Sequence, residues 1–187
     1  GVDLPEEQKK QYAELSRELA DLSNKFSDNV LDATQHWYKH ITDVNELAGL
    51  PETAIEGAKQ AAEQKELDGY VITLDFPSFF PVMTYGDNRD LRREVYEAFV
   101  TRASDQGPDA GTWDNTPVMA EILKRRHAMA KLLGFDNYAE LSLATKMARS
   151  VEEVLDFLNQ LAAKSKPQAE KEFAELQAFA KDEHGVD

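Results

Sequence analysis

The sequence has 187 residues, of which 42% are hydrophobic and 30% charged, a composition typical of a folded globular protein with its own core. The formal net charge of -14 at pH 7 argues against nucleic acid or anionic membrane surfaces as partners, because phosphate groups are bound by clustered Lys and Arg. The absence of cysteine excludes disulfides and thiolate chemistry, and no apolar run is long enough to cross a bilayer.

The first predicted element is a long helix that begins after Pro5, where Glu6 and Glu7 place negative charge in the first turn. Apolar residues then recur in alternating steps of three and four for about forty residues, giving a rod of roughly 60 Å. Partner helices must cover this stripe, because such a rod is not stable alone. Its members are Tyr12, Leu15, Leu19, Leu22, Phe26, Val30, Ala33, Trp37, Ile41 and Val44.

A short helix and a strand are predicted next. Gly49-Leu50-Pro51-Glu52 ends the first helix and starts an Ala-rich second one over residues 55–65. Residues 70–74 are a short run that contains the β-branched residues Val71, Ile72 and Thr73, which indicates a strand. After it we favour a short helix capped by Ser78 over a second strand at residues 82–85. A lone strand needs a pairing partner, so we expect that partner to lie outside this sequence.

The next predicted helix is capped by Asn88 and is followed by a Gly/Pro/Asp-rich loop at residues 104–115. Thr116 and Pro117 open another helix, which extends to Leu133 and ends at Gly134 in the left-handed conformation. The helix capped by Asn88 should place four residues on one face: Leu91, Val95, Tyr96 and Phe99.

Two more helices complete the prediction. A short one covers residues 138–147, and a long one begins at the capping box formed by Ser150 and Glu153. Pro167 should kink the long helix, and residues 183–187 resemble a loop. The predicted fold is mainly α, with long antiparallel helices in a multihelical bundle and one or two short strands. Apolar residues of the last helix include Val154, Leu155, Leu158, Leu161, Phe173, Leu176 and Phe179.

His36 and His40 form the sharpest candidate for a metal site. On a helix, two histidines four residues apart share a face, so their ring nitrogens can converge on one ion. However, Trp37 occupies the position of the general base in the His-Glu-x-x-His motif, and no third ligand can be placed. We therefore favour two surface histidines that flank a buried Trp37.

The other titratable candidates are weaker. His127 lies beside Arg125 and Arg126 without an orienting partner, and His184 lies near the chain end, so we interpret neither as a general base. With 35 acidic residues, carboxylate pairs arise by chance or at helix starts. We therefore predict no catalytic, cofactor-binding or metal-binding residue. The pairs are Asp28 with Asp32, Asp87 with Asp90, and Glu152 with Glu153.

Glycines and aromatic residues offer two further candidates. Gly107, Pro108 and Gly111 lack the Gly-Lys-Ser/Thr ending of a phosphate-binding loop and more simply shape a long turn. Four aromatic residues could line a substrate groove, but we favour packing in the core for them. These are Phe76, Phe79, Phe80 and Tyr85.

Many separate stretches, in order along essentially the whole chain, resemble the thimet-oligopeptidase-like zinc metallopeptidases, and in particular a bacterial oligopeptidase branch. The most characteristic tract runs from Ala103-Ser104-Asp105-Gln106-Gly107-Pro108 through Trp113-Asp114-Asn115 to Leu132-Leu133-Gly134-Phe135. Others are Ser27-Asp28-Asn29-Val30, Thr73-Leu74-Asp75-Phe76, Pro81-Val82-Met83-Thr84-Tyr85 and Ser142-Leu143-Ala144-Thr145-Lys146-Met147-Ala148.

The resemblance implies a helical enzyme whose halves flank a deep channel, where one zinc activates water to cut short peptides. The zinc-binding His-Glu-x-x-His pentapeptide of that family does not occur among the 187 residues. Residues 1–187 would then form a single helical segment of the non-catalytic, channel-wall half of a larger cytoplasmic peptidase. Such a segment would bind no zinc, would be inactive alone, and would self-associate through exposed apolar surface. The alternative is a free-standing helical module that binds peptides or a protein.

Overall fold

The computed structural model describes residues 4–185, which are mainly α-helical with one two-stranded antiparallel sheet, as predicted. The chain divides into two compact units, Lys9–Arg126 and the combination of Gly1–Gln8 with His127–Asp187. The elements in chain order are α1 (Glu6–His36), β1 (Tyr38–Ile41), a 3-10 helix (Val44–Leu47), α2 (Glu52–Gln64), β2 (Tyr70–Thr73), α3 (Phe76–Tyr85), α4 (Arg89–Val100), α5 (Thr116–Leu132), α6 (Tyr138–Leu143) and α7 (Val151–His184).

The first helix ends at His36, so the prediction of a helix through Val44 is wrong. The following residues form β1, which pairs antiparallel with β2 in a register that sets Tyr38 opposite Thr73 and Ile41 opposite Tyr70. The expectation that the partner strand lies outside the sequence is therefore also wrong. Aromatic and β-branched side chains fit a pleated surface, and burial of Ile41 adds to the pairing.

The hydrophobic core of the unit Lys9–Arg126 lies where α2, α3 and α4 meet the small sheet. α2 packs on β2, and α3 packs on α2, α4 and β2. Burial of these apolar side chains is the main term that stabilises the unit. The buried members are Ile41, Leu47, Leu50, Ala58, Ile72, Leu74, Val82, Leu91, Val95 and Ala98, and Trp37 and Phe79 pack against them.

α3 confirms the predicted short helix but not its predicted cap. The helix begins at Phe76 after Asp75, and the Ser78 hydroxyl instead accepts a hydrogen bond from the Thr73 backbone N–H at 2.9 Å. The cap of α4 is confirmed, because Asn88 Oδ1 accepts from the Leu91 N–H at 3.1 Å. Tyr96 is 53% exposed whereas Leu91 and Val95 are buried, so the prediction that Tyr96 shares their face is wrong.

α1 and α5 lie antiparallel within the unit Lys9–Arg126. Arg125 Nε on α5 donates to Glu18 Oε2 on α1 at 2.7 Å, and Arg125 also pairs with Glu121 of its own helix. At the other end of the contact, Asn115 Nδ2 donates to the Phe26 carbonyl at 3.0 Å. The helix stop at Gly134 is confirmed, with φ of +83°.

The other unit contains α6, which contacts α7 and is shorter than the predicted 138–147. The Ser150 cap is confirmed, since its Oγ accepts from the Glu153 N–H at 3.1 Å. The Glu153 carboxylate accepts from the Arg149 N–H at 2.6 Å. α7 continues through Pro167 to His184, so the predicted loop from residue 183 begins two residues later than expected, and residues 186–187 lie outside the described part.

No described residue of α7 is buried. Across residues 4–185, no helix combines the length and the apolar character that a membrane span requires.

Candidate functional site

The two histidines of the predicted metal candidate are not on one helix face. His36 is the last residue of α1, whereas His40 lies in β1, where its Nε2 donates to the Asp68 carbonyl at 2.6 Å. His36 Nε2 lies 3.7 Å from Asp109 Oδ1, and its ring centroid is 5.0 Å from that of Trp113. Because α1 ends at His36, the two rings do not share a helix face, and that arrangement was the basis for proposing a shared metal ion.

The loop between α4 and α5 is fastened to the C-terminal third of α1 at three points. Near its start, Arg102 Nη1 donates to Thr34 Oγ1 at 2.8 Å. Near its middle, Asp109 faces His36. At its end, Asn115 is buried and bonded to both Asn29 and the Phe26 carbonyl. These attachments hold the connecting segment against α1. We call this segment, residues 101–115, the α4–α5 loop.

Internal contacts stiffen the α4–α5 loop further. The Ala103 carbonyl accepts from the Asn115 N–H at 3.0 Å, and the Ser104 carbonyl accepts from the Gly111 N–H at 3.0 Å. Gly107 has φ of +79°, and a Cβ there would overlap with Thr101. Ala103 adopts φ of +51°, which is uncommon for a residue with a side chain. The loop is thus a defined conformation rather than a flexible connection.

Asp114 joins the loop to α5. Its Oδ1 accepts a hydrogen bond from the Thr116 N–H at 2.8 Å, and that bond is the main reason that the pKa of Asp114 is lowered. Asp114 therefore places a negatively charged hydrogen-bond acceptor at the N-terminus of α5. In this role it stabilises the N-terminus of α5.

The remaining titratable candidates lie apart on exposed surface. Asp28 and Asp32 are exposed on α1, and Asp87 and Asp90 are exposed at the start of α4. His127 is exposed on α5, and the ring of His184 packs edge-on against Phe179 at 5.6 Å. The carboxyl groups of Glu152 and Glu153 have lowered pKa values, caused first by backbone hydrogen bonds at the start of α7.

The aromatic residues of α3 separate into core and surface. Phe79 stacks on Phe99 of α4 with ring centroids 3.9 Å apart, as expected of core packing. Phe76 and Phe80 stack on each other at 5.1 Å but are 66% and 46% exposed, and Tyr85 is also exposed. Core packing is therefore wrong for those three residues.

An apolar groove lies between α1 and α5, and the sequence patterns did not predict it. The groove has a volume of about 420 Å³ and is lined by Ser23, Phe26, Ser27, Met119, Ile122, Leu123 and Arg126. Leu123 and Met119 are 65% and 45% exposed at its edge. The apolar residues Met119 and Leu123, four positions apart on α5, could have indicated the groove. The sequence does not show which face of α5 they occupy, because that depends on how α5 packs on α1.

No group of three or more His, Cys, Asp or Glu side chains in residues 4–185 is arranged to hold a metal ion. These side chains therefore do not fit a zinc ion.

Comparison with known proteins identifies the family. Residues 82–187 match peptidase family M3. The chain is 59% identical over all 187 residues to Oligopeptidase A of Salmonella typhimurium and of Escherichia coli, and 55% identical over 186 residues to that of Haemophilus influenzae. It spans only 28% of the first two relatives' length. Because the family match covers more than half of the sequence, the chain belongs to peptidase family M3.

Proposed function

We propose that this chain is a segment of a zinc metallo-oligopeptidase that hydrolyses short peptides, and that it walls the substrate channel without supplying catalytic groups. The observation that carries the proposal is the identity of 59% to Oligopeptidase A over the whole chain, at 28% of that relative's length. The remaining length of such an enzyme would provide the zinc ligands and the general base.

The described surfaces support a role in substrate restriction. The α4–α5 loop is held in one conformation by Asn115, Arg102 and Asp109, so it can present a fixed edge to a peptide without an ordering cost on binding. The apolar groove and the exposed pair Phe76 and Phe80 add contact area. The same surfaces would serve a free-standing binding module, which is the second candidate.

Zinc content and peptide cleavage should be measured in parallel on this chain and on the full-length gene product. We expect one zinc per full-length protein with cleavage, and neither for this chain. Stoichiometric zinc in this chain, lost on His36→Ala or His40→Ala, would contradict the proposal. Peptide binding by this chain, combined with a full-length product that neither binds zinc nor cleaves, would favour the binding module.

The channel-wall role has its own test in the full-length protein. Gln106→Trp enlarges an exposed side chain of the α4–α5 loop, and Gln64→Trp makes the same change at the exposed end of α2. If the loop borders the channel, Gln106→Trp should raise KM for long peptides more than for short ones. If both variants have the same KM values as the parent, the loop does not border the channel.

We also propose a cytoplasmic location. Two relatives in Arabidopsis thaliana are each 43% identical over 190 residues: one is named probable cytosolic oligopeptidase A, which supports the proposal, and the other is named organellar oligopeptidase A, chloroplastic/mitochondrial, so the location has to be measured. A fluorescent fusion of the full-length protein would show cytoplasmic signal, and signal confined to the cell envelope would contradict the proposal.

A further inference from the structure

α7 is a helix of 34 residues in which no described residue is buried, although α6 contacts it. Large apolar residues nevertheless recur along it at helical spacing, and six of them are between 50% and 60% exposed. A helix in water owes most of its stability to tertiary packing of its apolar face rather than to intrinsic propensity. Within residues 4–185, this face of α7 has no neighbour that buries it.

The six exposed residues form two clusters on one side of the helix. Corresponding members of the clusters are eighteen positions apart, which is about five full turns, so both clusters point the same way about 27 Å apart. The side between them carries Ser165, Ala169 and Glu172, and Glu172 accepts a hydrogen bond from Gln168 Nε2 at 2.8 Å. We call the two sets the α7 clusters: Leu155, Leu158 and Leu161 in the first, and Phe173, Leu176 and Phe179 in the second.

The remaining sides of α7 carry charges that are already paired within the helix. Lys166 Nζ lies 3.8 Å from Glu170 Oε1, and Lys171 Nζ lies 3.8 Å from Glu175 Oε1. Such pairs at four-residue spacing suit a surface in contact with water. α7 is therefore amphipathic, with its polar sides satisfied and its apolar side open, which is typical of a helix that packs lengthwise on another part of a protein.

Most of the polypeptide that could cover the α7 clusters lies outside these 187 residues, because the chain spans 28% of the length of the Oligopeptidase A relatives. A segment joined covalently has an effective concentration on the order of millimolar, whereas a second copy would have to associate against a net charge of -14. A peptide substrate is less suited, because the clusters lie along a convex helix about 51 Å long rather than in a concave pocket.

We propose that the α7 clusters are covered by the remainder of the full-length polypeptide, so that α7 is the surface through which this segment packs on the rest of the protein. The clusters are then not part of the surface that contacts peptides, and such contacts come from other parts of the chain. The inference rests on the proposed function only in taking the chain as a segment of a longer protein, and it requires neither zinc nor cleavage.

The test is thiol labelling of the purified full-length gene product. The 187 residues contain no cysteine, so a cysteine introduced into α7 reports on the coverage of its own position once labelling of the parent protein is subtracted. Leu158→Cys probes the first cluster and Leu176→Cys the second, and a small apolar thiol is tolerated at a buried site. Gln160→Cys is the matched control, because Gln160 is exposed and lies roughly 160° around the helix from Leu158. Maleimide labelling rates are compared in the native protein and in urea.

In the native protein, Leu158→Cys and Leu176→Cys should label about tenfold or more slowly than Gln160→Cys, at every protein concentration and with or without an added synthetic decapeptide. Either cluster variant decides the question if the other fails to fold. Equal native rates at the clusters and the control would overturn the proposal. So would protection lost on dilution, which would assign the clusters to a second copy, or protection seen only with the decapeptide, which would assign them to substrate. An inactive full-length protein would contradict the proposed function and leave this measurement valid.

Discussion

Asn29 Nδ2 donates a 2.8 Å hydrogen bond to Asn115 Oδ1, while Asn115 Nδ2 donates to the Phe26 carbonyl at 3.0 Å. This pair of bonds joins the end of the α4–α5 loop to α1 across a sequence distance of more than eighty residues. Asn115 is the buried polar residue of the described core, with 2% exposure, and both ends of its amide have partners. It therefore fixes where the loop ends and α5 begins.

Replacing Asn115 should destabilise the protein. Asn115→Ala removes the donor to the Phe26 carbonyl and the acceptor for Asn29, and the loss of such part-buried partners costs about 1–3 kcal/mol in the free energy of unfolding. Urea denaturation would measure the loss. The control Gln106→Ala, at an exposed position of the same loop, should change the free energy by less than about 0.5 kcal/mol. Equal stability of the two variants would contradict the assigned role.

Gly107 and Gly111 share φ of +79° but differ in surroundings. An alanine at either position is strained by about 1 kcal/mol because of its backbone conformation. At Gly107 the added Cβ would also overlap with Thr101, whereas at Gly111 it meets nothing within 4 Å. Gly107→Ala should therefore lower the thermal midpoint clearly more than Gly111→Ala.

The clash at Gly107 has a specific rescue. Removing the Thr101 side chain in the double variant Thr101→Gly with Gly107→Ala should recover part of the loss, so the two changes should be non-additive. Simple additivity in thermal unfolding would show that the close approach of the two residues is not the cause.

Neighbouring phenylalanines of α3 should behave differently. Phe79 stacks on Phe99 in the core, so Phe79→Ala should reduce the free energy of unfolding by about 3 kcal/mol. Phe80 is 46% exposed and stacks on exposed Phe76, so Phe80→Ala should cost much less. Guanidinium denaturation of both variants would decide this, and a larger loss at Phe80 would contradict the described packing.

Glu153 should link the stability of α7 to pH. Its pKa is lowered, first by the Arg149 backbone N–H and then by the Arg149 side chain. A lowered pKa in the folded state means that the carboxylate stabilises the fold above the ordinary Glu pKa. That stabilisation is lost as pH falls through the lowered value. Glu153→Gln should therefore melt lower than the parent near neutral pH and should lose that difference in acid.

Thermal unfolding followed by circular dichroism would measure this pH dependence. The control Glu63→Gln, on the exposed face of α2, removes one carboxylate that does not cap a helix. Its melting temperature should not differ from that of the parent in a pH-dependent way. If the difference in melting temperature between the parent and Glu153→Gln persists unchanged at low pH, the Glu153 carboxylate is not its cause.

Features that depend on local interactions could be predicted from the order of residues alone. Asn88 and Ser150 cap their helices through side-chain oxygens that reach a backbone N–H three residues ahead, and Gly134 supplies a positive φ. These effects act within a single turn, so residue type and spacing are sufficient to predict them. The strand β2 could also be predicted, because its side chains are aromatic or β-branched and it is bounded by turn residues.

The end of α1 and the contacts of its C-terminal region depend instead on long-range packing. Trp37 and Ile41 continue the helical spacing of three and four, yet Ile41 equally satisfies the alternation of a strand, and pairing with β2 settles the choice. Asn115 and His36 acquire partners far away in sequence, which no local pattern encodes. The exposure of Leu155, Leu158 and Leu161 on α7 likewise could not be predicted, because periodicity shows that a face is apolar but not what covers it.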